Sequence, residues 1–213
     1  MASNPPLLSD YLTQVRRLVH DSTGNYWPDA ELIDYINAAR FRVVADTGCN
    51  RVLQTLNVTQ AQETYAYSVL PSGVSTIDVL NITLLWGSMR VPMTYMSYTE
   101  FNLKMRAWQA FQSRPIAFTI YGGSTIYVGP IPDQTYVTEV DTVVAPAVLV
   151  NFTDQDTIAF PYTEPVPYYA AYMAKEKAQA MEEANRFMST YEVKVRMAIR
   201  SSFTRRITQP FNI

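Results

Sequence analysis

The chain has 213 residues, 48% of them apolar and 17% charged, with a net charge of −2. That apolar content disfavours disorder, and the excess of acids over cations excludes a surface that neutralises nucleic-acid phosphate throughout. One cysteine, Cys49, closes no internal disulfide, and no basic, apolar leader or run of about 18 apolar residues is seen, so neither an oxidising compartment, export nor membrane crossing is expected.

Ser9 is placed to cap a first helix over residues 10–21, with Tyr11, Leu12, Val15, Leu18 and Val19 on one face. Ser22-Thr23-Gly24-Asn25 breaks it. Pro28 suits the first turn of a second helix, Asp29 and Glu31 sit at its positive end, Leu32, Ile36, Ala39 and Val43 form its stripe, and Gly48 ends it. From Arg51 the period changes to two. Strands are expected over 52–59, 65–70, 76–86 and 89–93, with turns at Pro71-Ser72-Gly73 and Gly87-Ser88, read as a meander of short antiparallel strands.

Ser97 and Glu100 form a capping box ahead of Phe101, Met105, Trp108 and Phe111, so a short helix over about 97–112 interrupts the strands, with Trp108 its largest buried group. A hairpin follows over 116–128, turning at Gly122-Gly123, because paired glycines accept the positive φ of a tight turn. Gly129-Pro130-Ile131-Pro132-Asp133 is a rigid corner, 136–144 is one more strand, and 146–161 is a long loop. A helical stripe then runs through Val166, Tyr169, Met173, Lys177, Ala180, Ala184, Phe187, Tyr191, Val195 and Ala198, with a break expected near Ala184 and Asn185. Lys177 is expected to lay its stem on the core and send its ammonium to water.

Neither helical end can bury its stripe alone, so the two must pack together. The expected fold class is α+β: a helical bundle made from both chain ends, residues 1–48 and 160–213, with an inserted antiparallel β-rich domain at 49–159.

The chain offers little for catalysis. His20 is its one histidine and reads as a cap-region residue at the end of the first helix, and Cys49 reads as a small filler, so no metal or nucleophilic site and no cofactor is expected. Asp154, Asp156 and Glu164 lack the glycine and bidentate glutamate of a calcium loop and read as solvated loop charges. The chain is expected not to be an enzyme. The strongest charge asymmetry is C-terminal, where Lys194, Arg196, Arg200, Arg205 and Arg206 have no acid after Glu192 and Gln209-Pro210-Phe211-Asn212-Ile213 closes the chain.

The stretch from Tyr26-Trp27-Pro28-Asp29 through Leu32, Ile36 and Asn37 to Ala39 resembles the second-helix signature of the tailed-phage adaptor proteins, also called head-tail connector or head completion proteins. Leu70-Pro71-Ser72-Gly73, the stretch from Arg114-Pro115 to Tyr121-Gly122, the corner with Pro130 and Pro132, and the Ala- and Tyr-rich final helices are similar to the same family in the same order. The chain departs from many relatives in carrying Pro28 where they carry a Ser cap, which a helix start tolerates. The resemblance extends to the tail tubular, or upper nozzle, protein of short-tailed phages.

The resemblance implies a virion neck protein, assembled in the host cytoplasm, that forms a ring, commonly of twelve copies. The ring joins the capsid portal to a tail nozzle or tube and passes DNA through its lumen without reading sequence. It makes Arg196, Arg200, Phe203, Arg205, Arg206, Phe211 and Ile213 candidates for portal docking. Trp27, Leu32, Ile36, Asn37, Gly122, Pro130 and Pro132 become structural motif residues, with Asn37 expected to hydrogen-bond a neighbouring loop. Two other readings stay open at this stage: a carbohydrate-binding or carbohydrate-acting virion module built on aromatic sheet surfaces, and a nucleic-acid binder led by the C-terminal arginines.

Overall fold

The computed structural model describes residues 5–71, 75–106 and 111–202. In chain order the elements are α1 (Leu8–Val19), α2 (Asp29–Thr47), β1 (Arg51–Val58), β2 (Thr64–Ala66), β3 (Thr76–Trp86), β4 (Met89–Pro92) and β5 (Thr94–Tyr95). Then come α3 (Tyr98–Met105), β6 (Ala117–Tyr121), β7 (Thr125–Gly129), β8 (Tyr136–Val144), α4 (Val166–Lys177) and α5 (Met181–Ser202). The fold is α+β, with helices at both ends of the chain and strands between them. Two compact units result: one from the residues up to Asn50 together with those from Pro146 onward, the other from Arg51–Ala145.

The helical unit buries Tyr11, Leu12 and Val15 of α1, Leu32, Ile36, Ala39 and Val43 of α2, and Tyr191 and Val195 of α5 in one cluster. α4 contributes a row of small residues, Val166, Ala170, Ala171 and Ala174, rather than the expected row through Tyr169, Met173 and Lys177. Alanines let the α4 backbone approach α1 and α2, and the larger Tyr169 packs at the flank of the cluster.

The α1 start and the break between α4 and α5 differ from the periodic reading, each for its own physical reason, and α3 ends at Met105 rather than near residue 112. α1 starts at Leu8, not after a Ser9 cap: the Asp10 carboxylate accepts the Leu7 N–H at 2.9 Å, and the Leu8 and Ser9 N–H groups donate to the carbonyls of Asp154 and Phe152. The break between α4 and α5 comes at 178–180, not at Ala184, which lies buried inside α5. Gln179 takes the left-handed conformation (φ 58°), its N–H donates to the Glu176 carbonyl, and the Ala180 N–H reaches back to Lys175. That is a Schellman stop with glutamine where glycine is usual. His20 (φ 62°) ends α1 the same way, through the Asp21 N–H and the Arg16 carbonyl.

The strand-rich unit is two four-stranded sheets, ordered β1-β8-β3-β4 and β2-β7-β6-β5, rather than one meander. β8 sits between β1 and β3 because its alternate residues Tyr136, Thr138, Val140 and Thr142 are all buried, as a central strand requires. Among the described strands, the pairings are antiparallel except the two-residue contact of β5 with β6. Leu56, Val58, Ile82, Leu84 and Val140 from one sheet share a core with Tyr65, Phe118, Ile126 and Val128 from the other. The strand expected over 65–70 is only β2, after which residues Tyr67–Val69 form a single 3-10 turn.

The β6–β7 hairpin turns at Gly122 and Gly123, whose φ angles of 62° and 69° match the sequence expectation. α3 begins with the Ser97 hydroxyl accepting the Glu100 N–H at 3.3 Å and buries Phe101. Trp108, expected as its largest buried group, lies outside the described residues. Among the described residues, no helix is long and apolar enough to cross a membrane.

Candidate functional site

The best-built polar constellation lies inside the helical unit, where the chain returns from the strands. Arg40 of α2 is 1% exposed and donates to Asp156, Nε at 3.2 Å and Nη2 at 2.7 Å, both to Oδ1. Its Nη1 reaches the Ala147 carbonyl at 2.6 Å and the Asn37 side-chain oxygen at 3.1 Å. The Tyr11 hydroxyl donates to the other Asp156 oxygen at 2.6 Å, and burial with that carboxylate pushes the phenol far above its ordinary value. Asn37 both donates to the Leu149 carbonyl and accepts its N–H, each at 3.0 Å. Residues 147–156 are thereby pinned to α1 and α2, and Leu149 enters the helical core. The return to the helical unit therefore falls at Pro146, not near residue 160.

Asp156 is not the solvated charge that the sequence implied, whereas Asp154 stays partly exposed and is tied to its own loop. Asp154 accepts the N–H groups of Val150 and Asn151, each at 2.8 Å, which holds its carboxyl below the usual range. Asp156 is buried on Arg40 because isolated charge does not leave water unpaired. No spacing in the sequence marks this pair, 116 residues apart.

A second network fixes the turn between α1 and α2. The N–H groups of Trp27, Tyr26 and Asn25 donate to the Asp21 carboxylate, and Arg16 pairs with it at 3.2 Å. The Trp27 bond is the largest of the effects that hold the Asp21 carboxyl below its ordinary value. Arg16 also donates to the Trp27 carbonyl and pairs with Asp29. Glu31 accepts from Lys177 and from Tyr35, each at 2.5 Å, and both bonds keep it ionised below the usual range. Burial, with Glu31 as a hydrogen-bond partner, pushes Tyr35 up to about 12. The Lys177 side chain stays 60% exposed, with its ammonium on the Glu31 carboxylate and 5.9 Å from the Trp27 ring centroid.

These groups are arranged for cohesion. Burial raises the Cys49 thiol, which works against a thiolate nucleophile. His20 follows α1 while Cys49 follows α2. Among the described residues, no group of three or more His, Cys, Asp or Glu could hold a metal ion.

Of the docking candidates, Arg196 and Arg200 are exposed on α5, whereas Phe203, Arg205, Arg206, Phe211 and Ile213 lie outside the described residues. Lys194 is committed to Glu164 at 3.0 Å. Of the motif residues, Trp27, Leu32, Ile36 and Pro132 are buried, Pro130 is half-buried, and Gly122 turns the hairpin.

The family model described as SU10 adaptor protein matches residues 7–210. The chain belongs to the SU10 adaptor protein family. It is accordingly a phage structural adaptor, a virion component whose partners are in general those of capsid and tail. No curated protein matches the chain. The family match extends from α1 through both sheets to α5, so the strand-rich insertion belongs to the adaptor as much as the helices do. In this SU10 adaptor, Arg40 and Asp156 carry no sequence signal that marks them as partners. The one residue that pointed at the returning loop was Asn37.

Proposed function

We propose that this adaptor closes with further copies of itself into a ring in the phage neck, twelve copies being the count implied by the resemblance. The ring joins the capsid portal to a nozzle or tube of the tail, and DNA passes through its lumen without sequence-specific contacts. The observation that carries the reading is the family match over residues 7–210, which takes in both helical ends and the insertion. The outer face of α5 supports it. Val193 and Met197, one turn apart, are exposed at 39% and 63% beside Arg196 and Arg200, and Phe41 of α2 is exposed at 47%. Apolar side chains beside arginines are the composition of surfaces that meet protein. A closed ring needs two different complementary patches on each copy.

The protein acts in this reading by position and not by chemistry, with no cofactor, and the C-terminal segment from Arg200 reaches the portal. Electron micrographs of the protein alone and mixed with purified portal test the ring: circular assemblies are expected in the mixture, and their absence overturns it. Deleting residues 205–213 tests the docking segment. Truncated protein loading filled heads at the wild-type level would overturn that role.

A further inference from the structure

The strand-rich unit holds four arginines, and three are paired: Arg51 with Asp141, Arg90 with Glu139 and Arg106 with Glu63. Arg114 has no acid within ion-pair distance among the described residues. Its backbone is nevertheless fixed. Pro115 restricts it to extended conformations, the Ser113 N–H donates to the Ile131 carbonyl, and the Ile116 N–H donates to the Gly129 carbonyl, each at 2.9 Å. Its guanidinium carbon lies 4.5 Å from the centroid of Trp86, the last residue of β3.

Arg114 and Trp86 line a cleft of about 330 Å³ with Ile116, Asp133 and Tyr136. Stacking on an indole occupies the face of a guanidinium and leaves its N–H edge for a planar, two-oxygen acceptor. Trp86 and Ile116 are exposed at 47% and 45%, so the walls beside that edge are apolar and open. Asp133, whose carboxylate accepts the Tyr136 hydroxyl at 2.7 Å, puts a negative charge in the same cleft. That charge opposes a phosphate dianion more than a singly charged carboxylate.

We propose that this cleft binds a carboxylate carried by a polypeptide partner, an Asp or Glu side chain with an apolar neighbour, held edge-on by Arg114 while the neighbour packs on Trp86 and Ile116. The proposal is independent of the ring reading, since it concerns one unit of one copy.

The test titrates the full chain with acetyl-Leu-Glu-Leu-amide, its Gln twin and inorganic phosphate, following the Arg114 Nε–H and Trp86 indole N–H resonances. The Glu peptide should shift both signals and saturate, with the Gln twin weaker by about tenfold or more. Arg114→Lys should weaken the Glu peptide at least about fivefold, because a point charge cannot replace the fork. Asp133→Asn, which keeps an acceptor for Tyr136, should tighten it several-fold. Equal response to the two peptides, wild-type affinity in Arg114→Lys, or a stronger response to phosphate than to the Glu peptide overturns the assignment. So does weaker binding in Asp133→Asn.

Discussion

At the residue scale, cohesion of the helical unit rests on a few charges removed from water. A buried carboxylate is tolerable only while its partners remain, and the converse holds for the guanidinium. Asp156→Ala strands Arg40 at 1% exposure and should cost about 3–5 kcal/mol, read as a drop in the urea midpoint. Tyr11→Phe removes one hydrogen bond to the same carboxylate and should cost less, about 1.5–3 kcal/mol. Reversal of that order would mean that the ion pair is not what holds residues 147–156. Asp21 gives a pH dependence with a definite sign. Its folded carboxyl is held below the ordinary value, so its stabilisation is complete above the usual carboxylate range and is lost as pH falls through the depressed value. Asp21→Asn should therefore be less stable than wild type near neutrality and lose less on acidification. Parallel acid limbs for the two proteins would show that the clamp on Trp27, Tyr26 and Asn25 contributes nothing.

At the scale of elements, backbone conformation and close approach decide where helices end and how α3 sits. Gln179 holds a left-handed conformation that costs an L-residue about 1–2 kcal/mol relative to glycine. Gln179→Gly should raise stability by about 1 kcal/mol, and a lower melting temperature instead would show that the glutamine side chain matters more than its φ. Gly129 is required for proximity. A Cβ there would meet the Phe101 ring at 2.7 Å and the Met105 Cβ at 2.8 Å. Gly129→Ala should displace α3 from β7 and cost about 1–3 kcal/mol, with the near-ultraviolet circular dichroism of the Tyr98, Tyr121 and Tyr127 cluster changed. Elements whose signals are local were legible in the sequence: α2 with Pro28 before it and Gly48 after it, the β6–β7 hairpin, the Ser97 cap. What was not legible was settled by distant chain or by backbone that takes a left-handed conformation without glycine. The α1 start is capped by carbonyls of Phe152 and Asp154, both helix stops at His20 and Gln179 lack glycine, and the division into two sheets depends on pairings such as Arg51 with Val143 that no local pattern encodes.

At the scale of the whole molecule, the order of periodicities, helix then strand then helix, was enough to foresee α+β with an insertion, because apolar stripes must find partners. The point of return was not foreseeable, since Asp156 looks like any loop acid until Arg40 is found opposite it. The insertion leaves and re-enters at neighbouring points. Arg51 at the start of β1 pairs with Val143 near the end of β8, so the chain crosses into and out of the strand-rich unit a few residues from that pair. Among the described residues, the helical core draws its buried side chains from 8–43 and 149–195. Joining residues 5–50 to 146–202 through a short Gly-Ser linker should therefore give a chain that folds. It should show helical circular dichroism and a cooperative thermal transition, because the closure cost of a short linker is small against a core that is retained whole. A non-cooperative melt with exposed apolar surface would mean that the helical unit needs the strands to fold. In that case the family's span over residues 7–210 would describe one inseparable folding unit, not a helical body with an inserted unit.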